Sequence, residues 1–163
     1  MQYAPMEQTV PERARIQQSA AAAFAALPGS NIKFAVGAPE RVYSPEGRLA
    51  YWLVPGLVGG QIQAIARILK GGRVATVGDL RAAVTDCAQA VTGLSATEAS
   101  QLTKDLAVRY PAARILRPLL VHDGPVGREA WLHHVRSTAQ DLWIFATGGG
   151  VYSRPAGKPL AGN

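Results

Sequence analysis

The sequence has little with which to announce a chemistry. One of its 163 residues is a cysteine, Cys87, so no internal disulfide framework can form. Charged residues make up only 17% against 48% hydrophobic, a balance that excludes a disordered tail. Its apolar runs all stop short of the roughly 18 uninterrupted residues that a membrane-spanning helix needs. Clustered cations are missing as well. The 17 Lys/Arg outnumber the 11 Asp/Glu for a net charge of +6, but they are spread singly along the chain. Phosphate-binding surfaces concentrate cations so that counterion release adds up. The surplus therefore reads as solubility, and nucleic acid is not singled out as a partner. The opening residues Met1 to Gln8 lack a basic stretch followed by an apolar run. The expectation is a cytoplasmic protein, with a mature fragment of an exported protein as the alternative.

What is present is a faint internal repeat. Thr9-Val10-Pro11-Glu12 and Ser95-Ala96-Thr97-Glu98 both read as capping boxes, in which a hydroxyl accepts from a backbone N–H and the glutamate reaches back. Helical periodicity follows each cap, through Ile16, Ala20, Ala23, Phe24 and Leu27, and through Ala99, Leu102, Leu106, Ala107 and Tyr110. Each helix meets a proline, Pro28 or Pro111, 83 positions apart, and proline disfavours helical geometry in the residue before it. Strand signals come next: 32–36 and 115–121, then 47–53 and 127–133 beyond turns rich in Pro and Gly, then 61–68 and 141–146. Glycine turns follow, Gly71-Gly72 before Arg73–Val77 and Gly148-Gly149-Gly150 before Val151-Tyr152. Between the two series, Leu80, Ala83, Val84, Cys87, Ala88 and Val91 form an amphipathic stripe, with Asp79 as cap and Gly93 as stop.

The fold class expected is α+β, with two similar helix-plus-antiparallel-sheet units at residues 9–78 and 94–154. Residues 79–93 form a linking helix, and 155–163 form a loose tail rich in Pro, Gly and small residues.

The second series resembles a known family. The capped helix, Tyr110-Pro111-Ala112-Ala113, a strand, a turn, Arg128-Glu129-Ala130-Trp131-Leu132 and Leu142-Trp143-Ile144-Phe145-Ala146-Thr147-Gly148 are similar to a PepSY-type module. The likeness covers residues 95–154 best and 10–78 more weakly. It implies a cystatin-like shape and a role in binding or restraining peptidases and other partners. The chain departs from that pattern at Ala146, where an acidic residue is usual.

Few polar residues offer a reaction. His122 and His133 stand where adjacent strands of a hairpin can carry them, near Asp123 and Glu129, with Asp141 a further candidate acid/base group, and a histidine beside a carboxylate serves as general base or metal ligand. His133 and His134 are neighbours and face opposite ways in a strand. Solvation of an exposed strand end is the simpler account of these residues, since no motif surrounds the histidines. Cys87 lies on an apolar stripe and reads as an inert core thiol. The glycines at 148–150 precede an extended segment rather than a helix N-terminus, so they are a hairpin turn and not a phosphate cradle, and those at 56, 59 and 60 fail the same test because Gln61-Ile62 opens a strand. Tyr51, Trp52, Trp131 and Trp143 all fall on strands, either as an aromatic binding platform or as packing within and between the units.

The leading expectation is a non-enzymatic module that binds a protein or peptide through a sheet edge or an aromatic patch. It needs no cofactor or metal and is compatible with a homodimer. The alternative is a small-molecule enzyme or binder with a pocket between helix and curved sheet, using His122, His133 and the nearby carboxylates.

Overall fold

The computed structural model describes residues 10–29 and 31–157. Its described residues form ten strands and three helices, an α+β fold. They divide into two compact units. One holds the described residues up to Glu40 together with Tyr51–Cys87; the other holds Arg41–Ala50 and the described residues from Ala88 onward.

The first unit opens with helix α1 (Val10–Ala25). The cap expected at Thr9 lies outside the described residues. The helix ends three residues before Pro28, as the proline requires. The strand expected over 32–36 shortens to β1 (Ala35–Val36). Strand β2 (Glu40–Tyr43) begins at the edge of this unit. β1 is antiparallel to β3 (Leu49–Val58), β3 to β4 (Gln61–Leu69), and β4 to β5 (Val74–Val84). Gly59 and Gly60 turn β3 into β4 with φ of 59° and 79°, the left-handed backbone of a tight hairpin loop. Ile16, Ala20 and Phe24 bury one face of α1, and the helix packs along β1, β4 and β5. Beneath it Ile62, Ala64, Ala66 and Ile68 occupy alternate positions of β4 and are buried.

One expectation fails here. The helical stripe beginning at Leu80 does not form a helix until Cys87, because β5 continues to Val84, which pairs with Ile62. Hydrogen bonds to β4 satisfy that backbone, and pairing overrides local periodicity. The helix that remains, α2 (Cys87–Thr92), has six residues and stops at Gly93, where φ is +83°.

The second unit has a fuller set of local signals. α3 (Ala96–Arg109) starts at Ser95, whose side chain accepts from the Glu98 N–H while the Glu98 carboxylate accepts from the Ser95 N–H, as the sequence leads one to expect. Pro118 splits the apolar run 115–121 into β6 (Arg114–Ile115) and β7 (Leu119–His122). β8 (Glu129–Arg136) pairs antiparallel with β6, β7 and β9 (Asp141–Thr147), and β9 with β10 (Gly150–Pro155). β2 joins β7 in parallel at Tyr43 and Val121.

Strand alternation sends β8 and β9 side chains to two separate cores. Leu106 of α3 packs with Val135 and Ile144 on one face. Val121, Ala130, Leu132, Trp143 and Phe145 pack on the other. A polar seam ties the α2–α3 connection to the sheet. The Gly148 N–H donates to the Thr92 carbonyl at 2.8 Å, and the Trp131 indole N–H donates to the Leu94 carbonyl at 2.9 Å. A Cβ at Gly93 would stand 3.0 Å from the Gly148 Cα, so this crossing needs glycine on space as well as on φ.

Candidate functional site

The polar residues singled out in the sequence all lie in the second unit, and the fold distributes them over three places. His122 stands directly across from Glu129 in the β7–β8 register. Its Nδ1–H donates to the Gly124 carbonyl at 2.8 Å, and Glu129 is buried. His133 lies four residues further along β8, about 13 Å at strand rise. It is fully buried, with Nε2–H donating to the Ala99 carbonyl of α3 at 2.8 Å. Its Nδ1 has no hydrogen-bond partner among the described residues. Burial pushes the His133 pKa below the ordinary 6.5, against the smaller upward pull of the Ala99 bond, and the imidazole is neutral. His133 faces the helix and acts as a core residue.

Asp141 belongs elsewhere. It meets His134 on the opposite face, at 2.5 Å between Nε2 and Oδ1, and the His134 ring sits edge-on to Trp143. His122, His133 and Asp141 are therefore not assembled into one centre, and no group of three metal-ligating side chains forms among the described residues.

Asp123 carries the densest network. Its carboxylate is fully buried and takes both arms of the Arg154 guanidinium, at 3.0 and 2.6 Å, together with the Tyr152 hydroxyl at 2.5 Å. Burial alone would raise its pKa, but the hydrogen bonds of Arg154 and Tyr152 and the charges of Arg154 and Arg128 outweigh that and hold it below the usual 3.8. Burial and the Asp123 carboxylate together push the Tyr152 hydroxyl up to about 12. The Arg154 guanidinium lies 4.4 Å from the centre of the Phe145 ring and 5.6 Å from that of Trp143, while Tyr152 stacks on Phe145 at 5.1 Å. Both carboxylate oxygens of Asp123 are engaged, and the network clamps β10 to the loop after β7.

The aromatic candidates are interior. Tyr51, Trp52, Trp131 and Trp143 are all at most 7% exposed. Their bulk fills the cores, and an aromatic platform at the surface does not arise from them. Cys87 is buried too. Burial, with the charges of Glu40 and Asp86 adding to it, pushes its thiol up to about 12, which leaves it protonated and inert.

The local sequence pointed to Asp123 but missed its partners. Tyr152 and Arg154 are some thirty positions away, and only the alternation that puts them on one face of β10 hints at a shared role.

What is left open to a partner is backbone. Among the described residues β10 pairs with β9 alone, and β5 with β4 alone. The two edges differ. β5 departs from regular register twice, between Ile62 and Ala64 and between Arg67 and Ile68 of its neighbour. β10 runs opposite β9 without a break from Gly150 to Pro155. The Ala156 N–H donates to the Asp141 carbonyl, which sets the alternation: even-numbered residues of β10 bond to β9, and Val151 and Ser153 turn their N–H and C=O outward. Pro155 offers only a carbonyl there. Val151 is 56% exposed beside these groups.

No protein-family model, curated protein or solved structure matches this chain.

Proposed function

We propose that this chain is a non-enzymatic binding module that takes an extended segment of a partner protein along the edge of β10 that no described strand occupies, in the manner of a PepSY-type or cystatin-like unit that restrains a peptidase. The observation that carries the reading is the unbroken register of β10, held rigid from behind by the Asp123–Arg154–Tyr152 clamp. Main-chain hydrogen bonds to an added strand supply affinity, and a prepared edge lowers the ordering cost. The bulges of β5 are the usual means of blocking such pairing, which makes β10 the better edge.

The same reading takes the chain as a tandem of two similar units. Its support is the order of elements: helix, two-residue strand, four-residue strand and three longer strands, first as α1 and β1–β5, then as α3 and β6–β10. In both, the two-residue strand pairs with the first long one, β1 with β3 and β6 with β8.

The test is selection of binders from a random peptide library on the full chain, followed by titration of the selected peptides, and of peptidases as candidate whole partners. Ser153→Pro removes an outward N–H and Val151→Lys puts a charge on the edge. Each is expected to weaken selected peptides about tenfold or more, the worth of one or two main-chain hydrogen bonds. Peptides that bind both variants as tightly as the parent protein overturn the edge, and a library that enriches nothing overturns the function.

A further inference from the structure

A second feature lies in the first unit, remote in kind from the strand edge and independent of the peptide reading. At the C-terminal end of α1 the structure holds a cavity of about 390 Å³. That volume falls in the lower part of the roughly 300–1,000 Å³ range of small-molecule sites.

Its walls come from two short pieces of chain. Ala21 and Ala25, one helical turn apart on α1, are small enough to leave the space open, and Ile32, 50% exposed, lines it as well. The floor is aromatic. Phe24 and Phe34 meet with ring centres 5.4 Å apart at an interplanar angle of 44°. Gly56 of β3 lies beneath both rings, where a Cβ would come within 3.1–3.2 Å of them, so the pair is seated against backbone. Asn31 and Lys33 complete the lining, and among the described residues Lys33 is the only lining residue with a charged side chain.

The geometry points to a binding site for a small aromatic monocarboxylate. Phe24 is buried and backs the half-buried Phe34, whose ring can meet a third ring in an edge-to-face or offset arrangement, so the floor suits a flat aromatic body. A carboxylate can accept from the Lys33 ammonium and from the Asn31 amide at once. The carbonyl end of α1 stands alongside at Ala25 and carries partial negative charge, about half an elementary charge for a whole helix. That field disfavours any anion, and a dianion such as a phosphate monoester about twice as much as a carboxylate, so the single charge of a monocarboxylate is what one lysine can offset.

The experiment is titration of the full chain with 3-phenylpropionate and with its neutral amide, followed by calorimetry and by backbone amide shifts. Saturable binding of the acid is expected, with shifts confined to residues 21–34 and 56, and the amide weaker by about tenfold, the worth of one charged hydrogen bond. Lys33→Gln should erase the preference for acid over amide. Ala21→Leu, a sound helix former at an exposed position, should fill the cavity and abolish binding of both while the melting temperature holds. Absence of saturation at millimolar ligand overturns the site. An acid-over-amide preference that survives Lys33→Gln overturns the role of the lysine. Shifts that map elsewhere, or binding that survives Ala21→Leu, overturn the location.

Discussion

In the first unit the side chains that the structure buries are aliphatic, aromatic or the lone thiol, whereas Thr92, Asp123, Glu129 and His133 are all taken inside the second. Both units cover strands with a helix, yet they are held differently. Apolar packing is non-directional and tolerates volume-conserving exchange. Buried hydrogen bonds specify one geometry and exact a desolvation cost when either partner is removed. The first unit therefore rests on volume and the second on directed bonds. The second is accordingly the one whose edge is braced and whose stability follows pH.

The largest test of that contrast is Asp123→Asn. It removes the carboxylate charge that faces the Arg154 guanidinium, itself 14% exposed. Breaking a buried pair from one side costs about 3–5 kcal/mol. Urea unfolding should show a loss of that size, with amide exchange accelerated in the second unit before the first. A loss under about 1 kcal/mol would put Asp123–Arg154 among ordinary surface pairs and end the distinction.

A smaller effect separates two glycines. Gly93→Ala meets both a left-handed φ of +83° and a Cβ contact of 3.0 Å with Gly148, while Gly59→Ala meets only a φ of +59° in open space. Left-handed backbone alone costs about 1–2 kcal/mol for a residue with a Cβ. Gly93→Ala should cost clearly more than Gly59→Ala by thermal denaturation; equal losses would show that the seam between the α2–α3 connection and the β9–β10 turn yields freely.

The mildest perturbation is acid. The folded His133 resists protonation, so its pKa lies below the 6.5 of the unfolded chain. As pH falls through 6.5 the unfolded state takes up a proton that the folded state refuses, and stability is lost. Amide exchange measured from pH 7 to 5 should show protection falling in α3 and β8 while α1 and β4 hold, and His133→Leu should remove the step. The Asp123 carboxylate acts lower, its contribution being lost only as pH drops below 3.8. A uniform loss across both units, or a step that persists in His133→Leu, would refute the assignment.

Several parts of the molecule could be read along the chain. The Ser95–Glu98 cap, the hairpin at Gly59-Gly60, the alternation of β4 and the opposite facing of His133 and His134 depend on residues at most a few positions apart. The candidate site was less legible. Asp141 was one of five candidate acid/base groups for a single pocket and is bonded instead to His134, because register, set by the whole β8–β9 ladder, decides which neighbour it reaches. Residues 80–84 carry helical spacing and form strand, because β4 is there to pair with them. The cavity under α1 had no sequence signature, since Phe24 and Phe34 read as core in any arrangement.

By itself the sequence determined where α3 begins and where α2 stops, where the chain reverses, and which residues seek the interior. These follow from capping, from glycine and proline geometry, and from the periods of helix and strand, all short-range. Only the tertiary structure decided that Arg154 closes on Asp123, that β10 presents a regular edge while β5 does not, and that two phenylalanines floor a cavity with one lysine at its rim. Those features depend on strand register and on contacts across many residues, which no local pattern encodes.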